Sequence, residues 1–232
     1  MKIYKQDDVK KYLQNDWILA WLEQNEQAYE KEIRTHQWMM EMENKRAIYA
    51  EVYGDILRGD VEPDKTVLDV GGGYNALTKV LARNSRYTLV DFMAHGGKDG
   101  LYKMGGIKWY CGSWYEHEIE QDYYYVIAND IFPDVDQRME LFLDKYLAHC
   151  HELRLVLTFY NKPKFYETKR VDDSEILTFL SWDGEITGMK LRKYLDRMIN
   201  TDENDLSVLA EQDESIFRNG RQVAYVALKG DL

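Results

Sequence analysis

Residues 7–58 carry almost no glycine and no proline, and their apolar residues recur at helical spacing. Val9, Tyr12 and Leu13 form one set. Trp17, Ile18, Trp21 and Leu22 form a second, Tyr29 and Ile33 a third, and Ile48, Val52 and Ile56 a fourth. This period predicts two or three helices, with Asn15 or Asp16 as a cap. Gly59 and Asp60 close the block, and Pro63 marks the turn out of it.

From residue 66 the pattern changes. Thr66-Val67-Leu68-Asp69-Val70 is a short apolar run stopped by three glycines, which predicts a buried parallel strand. Asn75–Arg83 has Ala76, Leu77, Val80 and Leu81 at helical spacing. A second strand is predicted over Tyr87–Val90, ending at Asp91. A glycine-rich loop from Gly96 to Gly106 leads to a third strand over Ile107–Cys111. Tyr123–Ala128 reads as a fourth strand, Val135–His149 as a helix and Leu153–Tyr160 as a fifth strand. Strands alternating with helices in short units predict a parallel, doubly wound sheet. Towards the end, Lys190–Asn200 reads as a helix. Leu206–Leu209 and Gln222–Leu228 read as strands, with the turn pair Asn219-Gly220 before the second. The predicted fold is therefore α/β: a Rossmann-like, seven-stranded, mostly parallel sheet with an antiparallel C-terminal hairpin strand and an N-terminal helical cap.

A chain of 232 residues suits one α/β domain with a modest addition. The expected division is a cap over residues 1–60 and a sheet domain over 61–232. The net charge of −11 disfavours phosphate backbones as partners. The densest basic cluster, Lys162, Lys164, Lys169 and Arg170, is broken by aromatics and acids and reads as a solvated loop. Cys111 and Cys150 lack metal-type spacing and are expected as free thiols in a reducing compartment. The first residues carry charges throughout and no apolar signal region, and no run of 18 apolar residues occurs. A cytoplasmic protein is expected, with no membrane and no metal, as a monomer or a homodimer. The aromatic fraction of 13% fits either a tyrosine-rich core or an aromatic-lined cleft.

The candidate chemistry begins at Asp69-Val70-Gly71-Gly72-Gly73-Tyr74-Asn75, followed sixteen residues after Asn75 by Asp91. Glycines let a backbone leave a strand sharply and approach a ligand. The following helix N-terminus offers free N–H groups. An acid at the end of the next strand accepts hydrogen bonds from ribose hydroxyls. The dinucleotide fingerprint would put its third glycine at Ala76, which that pattern tolerates, so an NAD(P)-dependent oxidoreductase is one reading.

Asp69 inside the strand, in the order Asp-x-Gly-x-Gly, resembles motif I of the class I S-adenosylmethionine (SAM)-dependent methyltransferases. Asp91 matches the acid that holds the SAM ribose in that family. Gly112-Ser113-Trp114 stands where the family often has a Gly-Asp-aromatic stretch beside the adenine, with Ser113 replacing the acid. Asn129-Asp130-Ile131-Phe132-Pro133 stands at the family's motif IV, without the Asn/Asp-Pro-Pro-Tyr of amino-methylating DNA and protein enzymes. The terminal antiparallel strand also matches. The resemblance covers roughly residues 61–229 and concerns SAM binding, not the substrate. It implies SAM as cofactor, held by Asp69, Gly71, Gly72, Gly73, Asp91, Phe92, Ser113, Trp114 and Asn129. Asp130 and Tyr160 are the catalytic candidates, and His95, Arg138 and Asn161 the substrate-binding ones. In related enzymes the N-terminal block folds over the cofactor, which makes Gln37, Trp38 and Arg46 candidates for the methionine carboxylate.

The run from Asn129 to Arg138, with Leu157-Thr158-Phe159-Tyr160-Asn161, is also similar to small bacterial methyltransferases encoded with capsule-polysaccharide genes. That likeness implies a phosphoramidate, phosphate or sugar acceptor. The expected reaction is methyl transfer to a small polar metabolite, at oxygen rather than nitrogen. Three other readings stand beside it: the oxidoreductase, a non-catalytic partner that keeps the fold, and a protein or nucleic-acid methyltransferase.

Overall fold

The structure is a computed structural model that describes residues 1–92, 107–169 and 176–232. The chain divides into two compact units. One comprises Met1–Gln6, which carries strand β1 (Lys2–Ile3), together with Ile119–Leu232. The other is Asp7–Glu118. The fold is α/β, with seven strands in a mostly parallel sheet.

In the Asp7–Glu118 unit, helix α1 (Gln6–Leu13) is followed by α2 (Trp17–Asn25), α3 (Arg34–Glu41), α4 (Glu43–Val52) and α5 (Gly54–Arg58). The helical period predicted here is present, broken into more pieces than two or three. Asp16 caps α2 by accepting from the Leu19 N–H at 3.1 Å. Ile18, Leu22, Met39, Val52 and Ile56 form the apolar seam and are all buried. Three elements follow: β2 (Thr66–Val70), α6 (Ala76–Asn84) and β3 (Arg86–Val90). Strand β4 is Lys108–Tyr110. Strands β2, β3 and β4 run parallel, in register at Val70, Val90 and Tyr110. Helices α2–α5 and strands β2–β4 all fall within the Asp7–Glu118 unit. One tie is an ion pair between Lys79 of α6 and the buried Glu30 in the turn before α3.

The other unit orders its strands β1-β9-β6-β5, with β5 (Tyr123–Asn129), β6 (Cys150–Phe159) and β9 (Gln222–Lys229). Strands β5 and β6 are parallel; β9 runs antiparallel to both β6 and β1. Helix α7 (Met139–Tyr146) connects β5 to β6. Two further strands, β7 (Lys164–Lys169) and β8 (Ile176–Ser181), pair as a separate antiparallel ribbon. Of the basic cluster expected as a loop, Lys164 and Lys169 lie on β7, Lys162 comes before it and Arg170 lies outside the described residues; across the ribbon Tyr166 pairs with Phe179, their rings 5.2 Å apart. Helices α8 (Gly184–Arg192) and α9 (Glu203–Glu211) come before β9.

The last strand is antiparallel as predicted, but it is not half of a hairpin. Leu206–Leu209 lies in α9, not in a strand. Asp202 caps that helix through the N–H groups of Asn204 and Asp205, and Leu206 and Leu209 are its buried face, three residues apart. The helix read over Lys190–Asn200 ends at Arg192 and gives way to a short 3-10 turn at Leu195–Arg197. Among the described residues no helix is long and apolar enough to cross a membrane.

Candidate functional site

The glycine turn after β2 is tied down from three sides. The Gly71 N–H donates to the Val90 carbonyl at 2.8 Å and carries the strand pairing one residue past Val70. Gly72 sits so close to Asp69 that a Cβ there would lie 2.2 Å from a carboxylate oxygen. Gly73 has φ +63, in the left-handed region that favours glycine, and a Cβ would meet the Thr35 methyl at 2.8 Å. Thr35 also donates its hydroxyl to the Tyr74 carbonyl. Helix α6 begins immediately after, capped by Asn75, which accepts from the Leu77 N–H at 2.8 Å.

Asp69 lies beneath this turn, 2% exposed. Its two oxygens accept from the Tyr87 hydroxyl at 2.6 Å and the Tyr53 hydroxyl at 3.0 Å. Burial pushes its carboxyl up to about 7, against the pull of both tyrosines, while the charge of Asp91 adds to the rise. Tyr49, one helical turn before Tyr53 and stacked on it at 4.7 Å, donates to the Gly72 carbonyl at 3.2 Å. The Asn75 amide in turn donates to the Tyr49 hydroxyl at 3.5 Å.

Asp91 follows β3. Its carboxylate accepts from the Gly73 N–H at 3.0 Å, its backbone N–H donates to the Tyr110 carbonyl, and its own carbonyl accepts from the Trp109 indole at 2.9 Å. Phe92 beside it is 61% exposed. Ser113 opens a turn, its carbonyl accepting from the N–H groups of Glu116 and His117, and its hydroxyl from that of Tyr115. Trp114 is buried, edge-on to Tyr115 at 5.7 Å. Asp69, the three glycines, Asp91, Phe92, Ser113 and Trp114 therefore all belong to the Asp7–Glu118 unit, and Gly73 and Asp91 are in direct contact. His95 lies outside the described residues.

Arg46 is committed elsewhere. Its guanidinium holds Asp16 at 2.8 Å and donates to the carbonyls of Met39 and Met40, each at 2.8 Å. Gln37 bonds Arg34 and the Lys31 carbonyl, and the Trp38 ring lies under Arg34 and Lys45. These three residues brace α3 and α4.

A second polar group gathers in the other unit. Asn129 ends β5, and Asp130 after it has φ +64, a sparsely populated conformation outside glycine. The Arg221 guanidinium pairs with the Asp130 carboxylate at 3.1 Å. Asp134 is 6% exposed and accepts from the Tyr160 hydroxyl at 3.4 Å, which lies 3.5 Å from the Tyr166 hydroxyl. Burial drives the Asp134 carboxyl above its ordinary value, with Arg221 opposing the rise and Asp130 adding to it. Burial likewise raises the Tyr160 phenol. Arg138 is already engaged, its fork closed on Asp136 at 2.7 and 3.0 Å. Asn161 accepts from the Gln222 amide. Asp130 and Tyr160 thus share one cluster through Arg221 and Asp134, and Arg138 has its own partner. Sequence reasoning missed Tyr49, Tyr53, Tyr87, Asp134 and Arg221. The four-residue spacing of Tyr49 and Tyr53 was the available signal for the first two.

No family profile matches the sequence, and no curated protein does. Solved structures do show likeness. The DhpI–SAH complex superposes with a TM-score of 0.50 at 12% identity, covering 92% of this chain and 96% of that one. A Burkholderia thailandensis 1,6-didemethyltoxoflavin-N1-methyltransferase, with 1,6-didemethyltoxoflavin and S-adenosylhomocysteine bound, gives 0.46 at 13% identity, over 84% and 86%. The fold of this chain is the Rossmann-like fold of class I SAM-dependent methyltransferases, as the first of these shows. The comparisons give no support to the likeness with capsule-gene enzymes.

Proposed function

We propose that this chain is a SAM-dependent methyltransferase acting on a small polar molecule, with oxygen as the favoured acceptor. The observation that carries the reading is the contact between the Gly73 N–H and the Asp91 carboxylate. It puts an acid beside a glycine turn at the C-terminal ends of two parallel strands, where ribose hydroxyls are met in nucleotide-binding sheets. The residues present fit the group: Asp91 would hold the ribose, the backbone of Gly71–Gly73 would let the ligand approach closely, and the exposed Phe92 would flank the base. Asp69 supports the turn from below. Ser113, Trp114 and Asn129 complete the proposed cofactor set.

When bound, the cofactor supplies a methyl group made electrophilic by its sulfonium. The chain's own work is alignment of the acceptor, which carries much of the rate in such displacements. Asp130 and Tyr160 are the proposed catalytic pair, with Arg138 and Asn161 towards the substrate. A net charge of −11 supports a small molecule over a nucleic acid. Among the acceptors implied by the capsule likeness, a sugar hydroxyl suits the cluster better than a phosphate or phosphoramidate, because Asp130 and Asp134 repel an anion. Two free cysteines support a cytoplasmic location.

The test is calorimetric titration of the protein with S-adenosylhomocysteine and, separately, with NADH. Binding of the first alone is expected. Binding of NADH alone would replace the methyltransferase reading with the oxidoreductase one, and binding of neither would favour the non-catalytic scaffold.

A further inference from the structure

The N-terminal helices hold two carbonyls of the glycine turn, and they do so with hydroxyls, not with Gln37, Trp38 or Arg46. Thr35 of α3 donates to the Tyr74 carbonyl, and Tyr49 of α4 donates to the Gly72 carbonyl at 3.2 Å. The Gly72 carbonyl and the Gly73 N–H belong to one planar peptide unit and point to opposite sides of it. The N–H end of that unit donates to the Asp91 carboxylate at 3.0 Å. The unit is thus held by a tyrosine at one end and by the acid at the other, and rotating it breaks both bonds together. Glycine on each side leaves the unit few steric restraints, so its hydrogen bonds set its orientation.

The Tyr49 hydroxyl is itself directed. Its oxygen accepts from the Asn75 amide at 3.5 Å, while the Asn75 side-chain oxygen is taken by the Leu77 N–H at 2.8 Å. With an amide on its acceptor side, the hydroxyl proton goes to the Gly72 carbonyl. A carbonyl that accepts such a bond makes the N–H of the same unit a stronger donor. Packing against Tyr53, whose ring lies 4.7 Å away, needs only the ring of Tyr49 and not its hydroxyl. The Tyr74–Asn75 unit is held in the same manner, its carbonyl by Thr35 and its N–H by the Thr78 hydroxyl at 3.1 Å.

We propose that Tyr49 is a positioning residue for the cofactor: by holding the Gly72–Gly73 peptide it aims the Asp91 carboxylate at the ribose. This rests on the methyltransferase reading and adds to it a role for helix α4. Tyr49 acts through the peptide, not by contact with the ligand.

The test is a double-mutant cycle on the whole protein, with S-adenosylhomocysteine affinity measured by calorimetry for the wild type, Tyr49→Phe, Asp91→Ala and the double variant. Tyr49→Phe is expected to weaken binding about fivefold in the wild-type background and less than about twofold once Asp91 is alanine. A residue that only supported the fold would cost the same in both. Equal losses in the two backgrounds would therefore overturn the proposal, as would wild-type affinity in Tyr49→Phe. Exchange of the Gly73 amide, followed by NMR in the ligand-free wild type, needs neither a variant that folds nor a cofactor that binds. Protection of at least about tenfold over an unstructured amide is expected, and exchange at the unstructured rate would overturn the proposal. Failure of the wild type to bind S-adenosylhomocysteine would sink the methyltransferase reading instead. Gly73 exchange in Tyr49→Phe, expected to be about tenfold faster than in the wild type, then decides whether Tyr49 holds the peptide, and an unchanged rate would overturn that.

Discussion

At the glycine turn the polar groups are tied in pairs. Asp69 holds two tyrosine hydroxyls, Gly73 donates to Asp91, and Asn75 caps α6. At the Asp134 cluster the Tyr160 hydroxyl makes only long contacts, 3.4 Å to Asp134 and 3.5 Å to the Tyr166 hydroxyl, beside the Arg221–Asp130 pair at 3.1 Å. Both lie at the ends of parallel strands, so strand geometry alone does not explain the contrast. A turn that receives a ligand by its backbone has to be fixed beforehand, because rigidity lowers the cost of binding.

This contrast can be broken in graded steps. The largest loss is expected from Arg46→Ala, which leaves the largely covered Asp16 without its cation. A loss of about 3–5 kcal/mol is expected on denaturant unfolding, with S-adenosylhomocysteine affinity unchanged in the fraction that folds. Gly72→Ala comes next. Its methyl collides with Asp69, so about 3 kcal/mol of stability is expected to go, and cofactor binding with it, by calorimetry. Tyr53→Phe removes one of the two donors to Asp69 and is expected to cost about 1–2 kcal/mol, as read from chemical denaturation.

The pH dependence of stability sharpens the same point. The Asp69 carboxyl is raised to about 7 in the folded chain from an ordinary value of 3.8. Between those values the folded state binds the extra proton, so this group's contribution is fully present below pH 3.8 and is lost as pH rises through 7. Asp69→Asn should flatten the part of the stability profile that falls between pH 4 and 7, as measured by thermal melts across that range; an unchanged slope would place the titration elsewhere. The smallest effect belongs to Arg138→Ala. Its pair with Asp136 is exposed, and under about 0.5 kcal/mol is expected.

Much of this was legible in the chain itself. The run Thr66–Val70, the three glycines and Asp91 predicted two parallel strands and the turn between them, because burial on both faces and sharp backbone departure leave strong local marks. The antiparallel β9 was legible in its β-rich run. Leu206–Leu209 was not, since four residues suit either period, and the Asp202 cap with its packing against α8 decided for a helix. The ribbon β7–β8 escaped notice because its alternation is masked by charge. Asp134 and Arg221 escaped for another reason: 87 residues separate them, and only the fold of their unit brings them to one place. Arg46 looked like a ligand-binding cation until its partners were visible.

The central claim is that Asp91, set on the Gly73 N–H, holds the ribose of a SAM-type cofactor. Its most direct test is the S-adenosylhomocysteine affinity of Asp91→Ala beside that of the wild type. A loss of about tenfold or more is expected, the worth of charge-assisted hydrogen bonds at about 1.5–3 kcal/mol, with the melting profile retained. Equal affinity in the two proteins would contradict it.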